Sequence, residues 1–329
     1  MLRSTFAVLA MLPILPIEPA FSQSASTRVE VPIRPVVLPD GIRRYSVQLT
    51  IDGRPVEAQL DTGSTGLRVL KSGLADEAAT KRGSSVHYSY GSGVELTGEK
   101  ISANVAITGL PSAAVPIERV DTVECTARKS DCPASKLSAA NFRIGGNGNP
   151  DQGFLAIIGT GLRNDAVPNP LIALGVRQWI VNLPRQGERE GKLILNPNAD
   201  DIAGFRFFDV LGDSNQIRGC LVLTDTNKRI CGPAMVDTGA SGLRVQGGRP
   251  DEMWPNGSPA AIAIGDGDGT ASFAVTIGRR DQASGMFAYP RRAGSDITTL
   301  NLGLAPFFRW SVMFDASRRR IGVLTRPPL

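Results

Sequence analysis

The sequence predicts an all-β chain of two similar lobes facing each other across a central cleft. Three observations predict it. First, Asp61-Thr62-Gly63-Ser64-Thr65-Gly66-Leu67-Arg68-Val69 returns as Asp237-Thr238-Gly239-Ala240-Ser241-Gly242-Leu243-Arg244-Val245. Seven of these nine positions are identical, and an apolar residue, Leu60 or Val236, precedes each copy. Second, each copy ends a strand–turn–strand pattern, so the duplication covers the hairpin that delivers each acid. Third, 36 Gly and 23 Pro in 329 residues favour a turn-rich β protein. That length leaves room for two lobes.

Val47, Leu49 and Ile51 alternate with polar residues, and Asp52-Gly53 is a strong hairpin turn. The chain then runs back from Val56 to Asp61. The second half repeats the plan with a strand at Cys220 to Thr224, a turn at Asp225-Thr226-Asn227 and a return from Ile230 to Asp237. Between the two lies a hairpin from Ser84 to Ile107, with Gly91-Ser92-Gly93 at its tip. Gly145 to Pro150 reads as a flexible loop. Phe154 to Ile158 is expected as a buried strand, Pro170 to Gly175 as the best helix, and Trp179 to Leu183 with Lys192 to Leu195 as a hairpin across Gln186-Gly187-Glu188. Later strands are expected at Phe205 to Val210, Ala260 to Ile264, Ser272 to Ile277, Trp310 to Phe314 and Ile321 to Leu324. Asn196 to Ala203 is the expected lobe boundary. The domain reading is therefore 23–196 for the lobe with Asp61 and 197–329 for the lobe with Asp237.

The N-terminus has the form of an export signal over residues 1–22. Arg3 precedes an apolar run from Phe6 to Ile17, and Ala20-Phe21-Ser22 offers small residues for cleavage. Pro13 and Pro16 break the run, which argues against a membrane span. A periplasmic or secreted chain without stable membrane insertion is expected. Export fits the four cysteines. Of their three possible pairings, the local one, Cys125 with Cys132 and Cys220 with Cys231, is preferred. With a single histidine, His87, and no C-x-x-C pair, neither a metal nor another cofactor is expected. The net charge of +5 is spread along the chain, and no nucleic-acid motif is present. The run Arg318-Arg319-Arg320 reads as the solvated start of a terminal strand. Gly265 to Gly269, with Asp266 and Asp268, reads as a hairpin turn, since it lacks the ligand spacing of a calcium loop.

Paired acids define the expected chemistry. Two carboxylates held close together cannot both ionise, so one retains a proton while the other is a base. Asp61 and Asp237 are that pair. In support, Gly63 and Gly239 are expected to allow a sharp turn at each acid, and Ser64 to donate to Asp61.

These motifs resemble the pepsin-type aspartic peptidases, and the similarity runs from about Tyr45 to Val323. Tyr90-Gly91-Ser92-Gly93 followed by Leu96-Thr97-Gly98 is similar to the flap hairpin of that family. Ile157-Ile158-Gly159 and Asn301-Leu302-Gly303 are similar to its hydrophobic-hydrophobic-Gly elements behind each acid. Trp310 to Asp315 followed by Ile321-Gly322-Val323 resembles its closing strands. The resemblance implies a pepsin-like fold with pseudo-twofold lobes in an exported, bacterial-type member. It also implies that Thr62 and Thr238 bond across the axis, and that Tyr90, Gly91 and Ser92 cover the substrate. The implied activity is endopeptidase cleavage of an extended polypeptide by a monomer.

The chain departs from the family pattern in several places. Arg68 stands where the resemblance implies a Trp near the flap, and is expected to stack on or bond Tyr90 in its place. Arg244, the duplicated position, is expected to matter less. Ala240 replaces a hydroxyl, leaving Asp237 without the donor that Ser64 gives Asp61. Asn301 is polar where an apolar residue is usual. The stretch between Ser22 and the first hairpin is too short for the inhibitory pro-segment that the family implies. Arg68 and Ala240 also keep open an alternative, a catalytically weak binding or inhibitor protein on the same fold. A serine hydrolase would need His87 as its base and lacks a Gly-x-Ser-x-Gly elbow.

Overall fold

The computed structural model describes residues 27–185, 187–266, 269–291 and 294–327. The expected export signal lies outside them, as do Gln186, Gly267 and Asp268. The described chain is β-dominant and built on two large sheets of 13 and 7 strands. Helices are short, such as Pro170–Ala173, which Asn169 caps by accepting from the Leu171 and Ile172 amides. Among the described residues no helix is long and apolar enough to cross a membrane.

Both acid-bearing hairpins form where the turn chemistry puts them. Asp52 and Gly53 take φ of 45° and 80°, the left-handed pair that matches the twist of the flanking strands Arg43–Ile51 and Arg54–Asp61. Asn227, at φ 54°, turns the chain between Ile217–Leu223 and Arg229–Met235. Each hairpin feeds the same local order of strands. Arg54–Asp61 pairs in parallel with Ala156–Thr160, which pairs antiparallel with Thr65–Leu70, which pairs in parallel with Ala113–Cys125. Arg229–Met235 pairs in parallel with Thr299–Asn301, which pairs antiparallel with Leu243–Gln246, which pairs in parallel with Met286–Tyr289. The repeated phrase in the sequence is thus a repeated structural unit, one in each sheet.

The 13-stranded sheet also gathers strands distant in sequence. Arg206–Asp209, Arg320–Thr325 and Trp310–Asp315 join Gln178–Asn182 and Gly191–Leu195, and Val29–Val37 links these to the first hairpin. Val29–Val37 contains Pro32 and Pro35, which mask it in the sequence. Its first half pairs only with Gly191–Leu195 and its second half only with Arg43–Ile51. Each proline therefore lies in a half with one free edge, where a missing N–H costs little. The strand expected from Phe154 falls two residues later, at Ala156–Thr160.

One continuous core lies between the sheets, with Trp179 stacked on Phe314 at 5.8 Å and Phe273 set edge-on to Trp310 at 4.7 Å. A smaller cluster, including Leu70, Leu96, Phe142 and Ile157, supports the Ser84–Ile107 hairpin. The cysteines pair locally, Cys125 with Cys132 and Cys220 with Cys231. The second bridge joins directly opposed residues of the hairpin that leads to Asp237. By the chain-entropy estimate, opening this 11-residue loop with Cys220→Ala and Cys231→Ala lowers stability by roughly 2–3 kcal/mol, measurable by urea unfolding.

The arginine run is less solvated than expected. Arg318 is exposed, but Arg319 donates to the Leu162 and Gly212 carbonyls, and Arg320 bonds Asp315 and lies 3.9 Å from the Phe207 ring centroid. The last strand begins at Arg320 itself, so its own end uses these side chains.

Candidate active site

Asp61 ends a buried strand, and Asp237 follows the equivalent strand of the second sheet. Both are buried, at 4% and 7% exposure. The loops that carry them are clasped reciprocally. Thr62 Oγ1 donates to the Val236 carbonyl at 3.0 Å and accepts from the Thr238 amide at 3.1 Å. Thr238 Oγ1 donates to the Leu60 carbonyl at 2.7 Å and accepts from the Thr62 amide at 3.0 Å. The four bonds are fully buried, which leaves little freedom for one acid to move against the other.

Gly63 and Gly239 are needed for a reason other than the expected sharp turn. Neither has a positive φ. Each faces the opposite acid instead. A Cβ on Gly63 would lie 2.3 Å from Asp237 Cγ, and one on Gly239 would lie 2.7 Å from Asp61 Oδ1. The glycines give the two carboxylates the space to approach. Their amides also hold the inner oxygens, Gly63 N–H on Asp61 Oδ1 at 2.9 Å and Gly239 N–H on Asp237 Oδ1 at 2.7 Å.

The outer oxygens are held too. Ser64 donates to Asp61 Oδ2 at 2.6 Å, as expected. Asp237 is not left without a donor as Ala240 had suggested, because Asn301 Nδ2 donates to its Oδ2 at 2.5 Å. The Asn301 carbonyl is fixed in turn by the Gly303 amide. Asn301 stands opposite Met235 in a parallel pair, just ahead of Asp237, and this register aims it at the carboxylate. The two polarity departures in the sequence, Ala240 and Asn301, therefore answer each other. Burial pushes the Asp61 carboxyl well up, the Asp237 charge pushes it further, and the Ser64 bond only partly offsets them.

The pair lies on the floor of a cleft of about 360 Å³, at the small end of ligand sites. Tyr90, Gly91 and Ser92 line its other wall at the hairpin tip. Tyr90 also packs on the smaller core cluster, so its ring is both wall and core, and its buried hydroxyl has no partner among the described residues. Arg68 does not stack on Tyr90. Its guanidinium lies 3.6 Å from the Tyr88 ring centroid, and Tyr88 meets Tyr90 edge-on at 4.8 Å. Its anchors account for the change, because Glu118 at 2.9 Å and Asp165 at 3.4 Å fix the far end of the side chain beside Tyr88. The Arg68 Nε–H is not directed at the carboxylate, so charge rather than an aligned hydrogen bond holds that first contact. A stability double-mutant cycle is expected to show coupling of about 0.5–2 kcal/mol between Arg68 and Tyr88. Equal additivity at that pair would remove the cation–π account.

Several lining residues carried no signal in the sequence. Asn215 bridges the first acid loop to its surroundings, donating to the Thr62 carbonyl at 2.5 Å and accepting from the Leu162 amide at 2.9 Å. It comes from a Gly-Asp-Ser-Asn turn with no pattern to mark it. Arg44, Arg163 and Arg244 also line the cleft. Arg244 is expected to matter less than Arg68, yet it lines the cleft near the hairpin tip, where a Cβ added to Gly91 would lie 3.2 Å from its Nη1. His87, by contrast, is exposed on the outer side of the hairpin.

Comparison with known protein families finds no match, and comparison with curated proteins finds none either.

Proposed function

We propose that the chain is a pepsin-like aspartic endopeptidase, with two pseudo-twofold-related β lobes and an exported site of action. The observation that carries the reading is the approach of two buried carboxylates, presented by duplicated loops, clasped through Thr62 and Thr238 and set in the floor of a cleft. In each carboxylate Oδ1 accepts from a glycine amide and Oδ2 from a side-chain donor. No purely structural need accounts for two acids held this close, since burying both costs stability.

Burial raises the affinity of the Asp61 carboxyl for a proton, and the two acids hold one between them. An extended peptide enters beneath Tyr90 and Gly91. A water between the two carboxylates gives a proton to the ionised one as its oxygen adds to the scissile carbonyl carbon. The protonated acid donates its proton to the carbonyl oxygen, and a gem-diol forms. The C–N bond then breaks as the leaving nitrogen takes a proton from the acid that the water protonated, and a gem-diol hydroxyl returns one to the other acid. The resting proton distribution is restored without a covalent intermediate.

The test is incubation of the purified mature protein with a mixed peptide library over a pH series, with and without a transition-state-mimicking aspartic-peptidase inhibitor. Internal cleavage blocked by the inhibitor is the expected result. Binding without cleavage at any pH overturns the reading in favour of a binding protein.

Asn301 gives a pH prediction. Its amide favours the ionised form of the carboxylate it touches, and so favours loss of the last shared proton. Cleavage requires that proton. Asn301→Leu is therefore expected to move the alkaline limb of the pH–rate profile upward by about one pH unit. The pair titrates jointly, so the limb reports both acids. Ala240→Ser is expected to move it little, because the outer oxygen already has its donor. An unchanged limb in folded Asn301→Leu protein would count against the hydrogen-bond account.

A further inference from the structure

The internal duplication supplies its own control for a second feature of the cleft. Arg68 and Arg244 are equivalent positions of the repeated phrase. Across its parallel pair Arg68 faces Glu118, and the two form a buried ion pair. Across the equivalent pair Arg244 faces Phe287, which carries no charge. Arg244 is accordingly left with the Tyr289 ring, 5.4 Å from its Cζ. Arg44 is also without an acid. Its Nε donates to the Gly145 carbonyl at 3.0 Å and its Nη1 reaches the Arg43 carbonyl at 3.4 Å. Among the described residues neither guanidinium forms an ion pair. Arg163, the other cation of the cleft, is already bonded to Asp165 at 2.8 Å.

Arg44 and Arg244 are half-buried and face the same space. Burial pushes the Arg44 guanidinium down, the Arg244 charge adds to that, and Asp237 acts in the opposite sense. Among the described residues the acids lining the cleft are Asp61 and Asp237, and on the endopeptidase reading these share a proton. The cleft is therefore net cationic, with two like charges directed into partly desolvated space. Such charges are ordinarily paired, and a guanidinium fork matches a carboxylate in shape as well as charge.

We propose that Arg44 and Arg244 form a carboxylate-binding subsite, and that the protein selects extended peptides carrying an acidic side chain next to the bond held over Asp61 and Asp237. The cleavage part rests on the endopeptidase reading, while the binding part does not.

The test uses extended fluorogenic peptides in matched pairs, identical except for Glu or Gln at one position scanned along the chain. The expected result is a kcat/KM preference for Glu of about tenfold or more at one or more positions, weakening with added salt. Arg44→Gln and Arg244→Gln are each expected to bring that ratio to within about twofold, and Arg44→Lys to keep part of it. Arg244→Glu is expected to turn the preference toward peptides with Lys at the same position, a reversal that loss of structure cannot produce. Binding of the same peptides to Asp237→Asn protein, followed by fluorescence anisotropy, separates the two claims. Equal cleavage of Glu and Gln peptides at every position overturns the subsite and leaves the endopeptidase standing. Glu-selective, Arg244-dependent binding without cleavage by the unmodified protein overturns the endopeptidase and keeps the subsite. Equal binding without cleavage overturns both.

Discussion

Asp61→Asn and Asp237→Asn are each expected to lower kcat/KM by at least about a thousandfold while leaving the fold intact. The amide at either position keeps an oxygen for the Gly63 or Gly239 N–H, so the clasp through Thr62 and Thr238 remains. What is lost is a group able to exchange a proton. On the endopeptidase reading the acids work as one unit, so the double variant is expected to be little worse than either single one. The thermal behaviour carries a separate sign. Burial and the Asp237 charge raise the folded-state affinity of Asp61 for its proton above that of the unfolded chain. Stability is therefore favoured while Asp61 is protonated, and falls as pH rises from the ordinary carboxylate range through the raised value. Asp61→Asn abolishes that fall. Thermal melts of both proteins from pH 4 to pH 8 should diverge with rising pH, the variant becoming relatively more stable. Near-wild-type turnover in either Asn variant would remove the assignment of the pair.

The second large effect is on stability. Arg68 and Glu118 are 1% and 0% exposed, and Arg68 also holds the Thr65 carbonyl, Asp165 and the face of Tyr88. Removing one partner of such a pair typically costs about 3–5 kcal/mol, because a charge is left buried without compensation. The two single variants differ in their pH dependence. Burial already pushes the Glu118 carboxyl up to about 7, with Arg68 opposing it. In Arg68→Met protein Glu118 can discharge by taking a proton, so the cost is small in acid and grows as pH rises above the unfolded carboxylate range. In Glu118→Gln protein Arg68 cannot discharge, so the cost persists at every pH. The double replacement Arg68→Met with Glu118→Leu is expected to recover much of the loss. Urea unfolding of the four proteins at pH 4 and pH 7.5 reads all of this. A pH-independent cost for Arg68→Met would mean that Glu118 is not the group it leaves uncompensated.

Much of the fold was legible where local chemistry decides it. Asp52-Gly53 carries its own left-handed turn, and alternation marks the strands on either side. Cys220 and Cys231 straddle a turn symmetrically, so their bridge could be read from position. Val29–Val37 was not legible, because its prolines argue against a strand, and only the one-sided pairing of each half permits them. Ala113–Cys125 is not marked in the sequence either, since Pro116, Glu118, Arg119 and Asp121 break its alternation and its parallel register with Thr65–Leu70 joins segments far apart in the chain. In the site, Ser64 could be assigned to Asp61 because the two are three residues apart on one loop. Asn301 could be seen as unusual but not assigned, since it is 64 positions from the carboxylate it serves. Arg68 was placed beside the right hairpin and against the wrong tyrosine, because spacing along a strand does not say which anchor holds the far end of a long side chain.

The duplication, the two acids and the hairpins that carry them are readable from the order of residues alone, which also favours the local pairing of the cysteines. These rest on short-range chemistry: turn conformations, period-two alternation and near neighbours in the chain. The packing of the strands settles that Asn301 replaces a hydroxyl at the second acid, and that Gly63 and Gly239 serve the approach of the opposite carboxylate. It alone separated the two equivalent arginines, one sealed against Glu118 and the other turned into the cleft. Each of those outcomes depends on which residue a neighbouring strand places alongside, and that register is set by the packing of the whole molecule.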